Sequence, residues 1–181
     1  MTAMAITPLK YLQGYSPDTL AQVEQLVISK SLGEWLQKKH PGSHAIRTDK
    51  ALFEYVQDLR QTYLCGAEPL AKVAFDSKLH VVQHALGTHT SISRVQGSRL
   101  KSKREIRIAC VFKDTPLEFL KMIAVHELAH LKERAHDKAF YRLCTYMEPN
   151  YHQLEFELRM YLTHLELSGK RLWGPEALET A

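Results

Sequence analysis

Thr115-Pro116-Leu117-Glu118-Phe119-Leu120-Lys121-Met122-Ile123-Ala124-Val125-His126-Glu127-Leu128-Ala129-His130-Leu131 combines a helix start with an almost unbroken apolar run. Thr115 is placed to cap, Pro116 suits the first helical position, and Glu118 completes a capping box. The residues that follow are apolar on nearly every side, so the spacing predicts a helix to about Leu131 buried in the centre of a domain. Beyond Lys121, polar residues interrupt it at His126, Glu127 and His130. Polar groups are costly in such a setting unless they are paired or coordinated.

His126 and His130 are four residues apart and share one helix face. Two imidazoles so placed reach a tetrahedral zinc at about 2.0–2.1 Å. Glu127, rotated about 100° around the axis, stays off the metal but close to the water that the metal activates, where it serves as general base. The bland alternative sets both histidines at the surface edge of the helix, merely hydrogen-bonded. A catalytic zinc needs a third protein ligand and one open position. His136, six residues after His130, supplies it if the chain bends between Leu131 and Ala135, a segment without glycine. The short closure and a neutral imidazole favour His136. Glu148 and Glu155, from later helices, are the carboxylate alternatives. Asp137 either orients a ligand or opens the next helix.

Working outward, Ser16-Pro17-Asp18 reads as a cap, a first-position proline and a first-turn acid, opening a helix with Leu20, Val23, Leu26 and Val27 on one face. A second helix, Leu32 to Lys39, stops at His40-Pro41-Gly42. Thr48 caps a third, whose apolar face runs from Leu52 to Tyr63. The middle of the chain changes period. Lys72 to Phe75 suits a short strand before Asp76, and another strand is expected from Thr90, ahead of a polar loop at Gly97-Ser98. Ile106, Ile108, Cys110 and Phe112 alternate as a half-buried strand. These strands are expected to form a small, mainly antiparallel sheet. After the central helix come two more, one through Ala139 to Tyr146 and one after Pro149. The stretch beyond Ser168 reads as a frayed tail.

The composition, 45% hydrophobic and 24% charged over 181 residues, is that of a globular domain. A net charge of +4 does not call for a nucleic-acid partner. Cys65, Cys110 and Cys144 are scattered, as expected of free thiols in a reducing cytoplasm rather than of a disulfide framework or zinc ribbon. Met1 to Leu9 lacks the pattern of a secretory signal, and no apolar run suits a membrane span.

The remaining ionisable residues allow two readings each. His80 and His84 repeat the four-residue spacing, but Val81-Val82 favours a strand over a second metal helix; His89 is the better candidate for lining the cleft. Arg94, Arg99, Lys101, Lys103, Arg104 and Arg107 form the densest basic stretch. It is either a solvated loop or a phosphate-binding rim. Without interleaved aromatics it is no nucleic-acid platform. Tyr141, Tyr146, Tyr151 and His152 are candidate transition-state donors or packing residues.

The run from Met122 to Glu133, with His136, Phe140 and Met147-Glu148-Pro149, resembles the YgjP-like family of metal-dependent hydrolases. The resemblance extends to Tyr11-Leu12-Gln13-Gly14-Tyr15, Ser93-Arg94-Val95-Gln96-Gly97 and Tyr151-His152-Gln153-Leu154-Glu155-Phe156. It implies a zincin-like fold, with His126, His130 and His136 as ligands to one zinc and Glu127 as base. SprT-like and WLM-type metallopeptidases are similar at greater distance. The resemblance carries two activities, peptide hydrolysis by fold analogy and pyrophosphohydrolysis of nucleotides such as UTP, and fold alone does not choose between them.

The reading is one α+β domain over residues 1–181, with helices over 1–66, a metal-binding core over 67–168 and a tail over 169–181. Its expected function is that of a cytoplasmic zinc hydrolase, with peptide or amide hydrolysis first and nucleotide pyrophosphohydrolysis second. A non-catalytic metal-binding module is the third class.

Overall fold

The computed structural model describes residues 9–79 and 104–175. After a 3-10 turn at Lys10–Leu12, the chain forms α1 (Pro17–Ile28), α2 (Leu32–Lys39) and α3 (Asp49–Tyr63). The starts of α1 and α3 follow the capping residues. The Ser16 Oγ accepts from the Thr19 N–H at 3.2 Å, and the Thr48 Oγ1 accepts from the Ala51 N–H at 3.2 Å, each satisfying an amide that the helix itself cannot. α2 ends at Lys39, one residue before His40-Pro41, because proline bars the helical conformation to the residue preceding it.

Strand β1 (Lys72–Asp76) pairs with β2 (Glu105–Ala109) in register Lys72↔Glu105 to Asp76↔Ala109. The pairing is parallel, which corrects the antiparallel expectation. Alternation assigns side chains to faces but carries no direction; the long connection from Ser77 to Arg104 does, since a parallel pair needs a crossover of a dozen or more residues. The strand expected from Thr90 and the Gly97-Ser98 loop lie outside the described residues. β2 also stops earlier than its alternation suggests. The chain enters a 3-10 turn at Cys110–Asp114 that still buries Phe112.

Helix α4 (Leu117–Ala129) occupies the centre and packs against α3, β2, α5 (Lys138–Met147) and α6 (Tyr151–Ser168). Phe119, Leu120, Met122, Val125 and Leu128 are fully buried. Each such side chain stabilises the fold by about 1.5–3 kcal/mol relative to exposure. The start of α4 differs from the capping-box expectation. Thr115 is buried and its Oγ1 donates to the Phe112 carbonyl at 3.1 Å, so Pro116 takes the capping position and no side chain caps the helix. The same carbonyl accepts from the His44 imidazole at 2.7 Å.

From Gly169 to Pro175, the segment after α6 is docked rather than frayed. Gly169 closes the helix in the left-handed conformation, φ 67°, and the chain returns across α2. Trp173 is buried and its Nε1–H donates to the His40 carbonyl at 2.7 Å, while the Gln37 amide donates to the Leu172 carbonyl at 2.7 Å. Arg171 and Arg47 both bond Asp114, at 2.5 Å. Gly174, at φ +92°, lies so close that a Cβ there would stand 2.7 Å from the Asp114 side chain. Beneath this strap, Glu157 of α6 is fully buried and bonds Lys39, His40 and Gln153. No helix among the described residues is long and apolar enough to cross a membrane.

Candidate metal centre

His126 lies in the last turn of α4, and His130 is the residue that ends it. Beyond it the chain tightens. The Leu131 N–H bonds the Leu128 carbonyl, and the N–H groups of Lys132 and Glu133 both bond that of Ala129. No residue from Leu131 to Asp137 takes a positive φ, so this bend needs no glycine. Asp137 then stops the turn: its Oδ1 accepts from the N–H groups of Ala139 and Phe140 and caps α5. Of its two expected roles, Asp137 takes that of a cap. His136, just ahead of it, is thereby turned back over α4.

The three histidines meet through their Nε2 atoms, which stand 3.2 Å (126–130), 3.2 Å (126–136) and 3.1 Å (130–136) apart. Two nitrogens bound to one tetrahedral metal at about 2.0–2.1 Å are separated by about 3.3–3.4 Å, close to what is seen. The outer nitrogens explain the orientation. The His130 Nδ1 lies 2.9 Å from the Glu133 carbonyl, which can only accept; Nδ1 therefore carries the proton and Nε2 presents a lone pair. The His126 Nδ1 lies 2.7 Å from the Tyr151 hydroxyl. Phe140, fully buried, holds its ring 4.5–4.9 Å from all three imidazoles and packs them from below. Convergent neutral imidazoles with fixed outer hydrogen bonds are the donor set a borderline-soft divalent cation takes.

Tyr151 is fully buried and also hydrogen-bonds Cys144. Burial pushes the Cys144 thiol up to about 12 and lifts the Tyr151 phenol well above its ordinary value, so both stay neutral. Glu127 is half-buried, and desolvation raises its carboxyl from 4.5 to about 7. Among the described residues it has no ion-pair or hydrogen-bond partner. Such a carboxyl has a proton affinity suited to taking a proton near neutrality.

The carboxylate alternatives to His136 are engaged elsewhere. Glu148 bonds Lys121 at 2.7 Å, and Glu155 bonds Arg159 at 3.0 Å. Neither belongs to the histidine cluster. Two residues of the basic stretch sit on or beside the strands: Arg104 pairs with Glu68 and Arg107 with Asp76, each at 2.9 Å. His80, His84, His89, Arg94, Arg99, Lys101 and Lys103 lie outside the described residues. Tyr146 is exposed and stands edge-on to Tyr63, away from the cluster. Residue spacing did not assign the Tyr151 contact or the Phe140 floor. In the sequence each aromatic is legible only as a packing residue or as a fragment of a longer resemblance. All three cysteines are free thiols.

Residues 70–161 match the model of the YgjP-like family, described as a YgjP-like metallopeptidase domain. The chain is also 54% identical over 164 residues to the UTP pyrophosphatase of Escherichia coli strain K12, covering 91% of this chain and 98% of that protein. No solved structure matches. With half of its length inside the family model and nine tenths of it aligned to this relative, the chain belongs to the YgjP-like family.

Proposed function

We propose that this chain is a zinc-dependent hydrolase of nucleoside triphosphates, cleaving UTP-type substrates to the monophosphate and pyrophosphate. The observation that carries the proposal is the convergence of three imidazole Nε2 atoms, with the carboxyl of Glu127, next in sequence to His126, raised to about 7 and without a partner among the described residues. The choice of substrate reverses the order reached from sequence, which put peptide hydrolysis first. The 54% identical relative is a UTP pyrophosphatase, and that supports the phosphoanhydride reading. In this proposal the fold is zincin-like and the setting cytoplasmic.

His126, His130 and His136 would hold the ion. A divalent metal bound there supplies Lewis acidity, acidifying water and drawing charge from the phosphate oxygens. Glu127 accepts one proton from the water as its oxygen adds to the α-phosphorus. The bond from that phosphorus to the bridging oxygen breaks, and pyrophosphate leaves with the electron pair. Protonated Glu127 then releases its proton to solvent or product. Tyr151 and the Glu133 carbonyl fix the rings of His126 and His130 throughout, so no reorientation is needed during the reaction. Arg94, Arg99, Lys101 and Lys103, with His89, are proposed to neutralise the triphosphate.

Side-by-side turnover of casein and a panel of nucleoside triphosphates tests the assignment. Pyrophosphate release with no casein cleavage is expected. Casein cleavage alone would return the peptidase reading, and neither would leave a non-catalytic metal module.

A further inference from the structure

The hydrogen bonding behind His126 does not end at Tyr151. Cys144 of α5 and Tyr151, the first residue of α6, are both fully buried. The phenol bonds the His126 Nδ1 at 2.7 Å and the Cys144 thiol on its other side. Among the described residues these are its two hydrogen-bond partners. Three helices thus give one group each to a buried chain: His126 from α4, Tyr151 from α6 and Cys144 from α5. Cys144 lies four residues beyond Phe140 and so shares its face of α5. The face that packs the three imidazoles therefore also carries the end of the chain.

A phenol has one proton and two places to put it here. Pointed at His126, it makes Nδ1 an acceptor; the proton of the neutral ring then sits on Nε2, and that nitrogen cannot bind a metal. Pointed at the sulfur, it leaves the phenol oxygen free to accept from the Nδ1–H. Nε2 then presents its lone pair to the other two histidines. The two arrangements use the same atoms and differ only in the direction of their protons. The choice between them depends on whether the phenol proton has an acceptor other than the imidazole. Sulfur is a weak acceptor, but a buried O–H with none at all is worse off.

We propose that Cys144 is a positioning residue for the metal centre: by accepting the Tyr151 O–H it holds His126 in the Nδ1–H tautomer, with Nε2 ready for a divalent cation. An apolar side chain at this position would leave the phenol proton only the histidine to turn to, and the wrong tautomer would gain. This inference rests on His126 being a ligand, as proposed above, and adds what sets its proton.

Cys144→Ala and Cys144→Ser both lose the volume of the sulfur and differ by a hydroxyl, so comparing them separates hydrogen bonding from packing. Two readouts apply: zinc affinity by chelator competition, and the ring-nitrogen chemical shifts of His126 in metal-free protein carrying isotope-labelled histidine. Wild type and Cys144→Ser should show a protonated Nδ1. Cys144→Ala should shift toward the Nε2–H form and bind zinc roughly three- to tenfold more weakly, the effect of one neutral hydrogen bond. In a Tyr151→Phe background, Cys144→Ala should bring no further loss, because the link through which it acts is gone. A Cys144→Ala protein with the wild-type tautomer and zinc affinity, or equal losses in the alanine and serine variants, overturns the role of Cys144 and leaves the histidine centre standing. A wild type that takes no zinc overturns the metal reading instead, and the tautomer comparison then decides the relay by itself.

Discussion

Tyr151→Phe removes one oxygen from a fully buried ring and leaves the ring's packing in place, so its effect isolates the hydroxyl contact with His126. That contact is 2.7 Å long and occupies the Nδ1 of a histidine only 5% exposed. When Nε2 faces a metal, Nδ1 carries the proton, and the phenol oxygen is its acceptor. Without it that buried N–H loses its 2.7 Å acceptor, a loss of about 1–3 kcal/mol. The loss applies to the orientation and proton position that metal binding needs, so it should appear as a roughly 10–100-fold weaker metal affinity, the range seen when an outer hydrogen-bond partner is lost. Competition between the protein and a chromophoric chelator measures this directly. Tyr146→Phe, whose ring is 63% exposed, is the matched control and should change nothing. A Tyr151→Phe protein that melts like wild type and binds zinc within twofold of it would refute the reasoning: the hydroxyl would then be a packing feature, and the orientation of His126 would not depend on it.

Acid should act first through Glu157. Its carboxyl falls from 4.5 to about 2 in the fold, so it contributes stability in full above pH 4.5 and loses it as pH falls toward 2. The contribution is about 3 kcal/mol at most, and urea melts across that window should be flatter in Glu157→Gln, itself less stable at neutral pH. Trp173→Ala should destabilise by about 3–5 kcal/mol, because it empties a site packed against Phe119 and Tyr161 and removes the bond to the His40 carbonyl. A thermal melt unchanged by that substitution would mean that the strap after α6 adds nothing.

The elements legible from residues alone are those fixed by local chemistry. Ser16 and Thr48 announce helix starts because an amide needs their oxygens, and Pro41 ends α2 for steric reasons that hold in any context. The histidine cluster is legible for a related reason. His126, Glu127 and His130 break the apolar run that follows Lys121, and buried polarity demands a partner. What escapes a reading of the sequence depends on partners distant in the chain. Alternation in β1 and β2 fixes faces but not direction. Thr115 has the identity of a cap, yet the Phe112 carbonyl beneath it competes successfully for its hydroxyl. Trp173 sits between two glycines in what reads as a loose tail, and only the folded surface of α2 gives it a place to dock.

The most direct test of the central claim is pyrophosphate release from UTP by wild type and Glu127→Gln, each shown by elemental analysis to hold about one zinc per chain. Glu127→Gln should keep metal and fold and lose roughly 10²–10⁴ in kcat, the loss that follows removal of a general base. Full activity in the metal-loaded Glu127→Gln protein would contradict the account, because the proton would then leave the attacking water by a route that does not involve the Glu127 carboxyl.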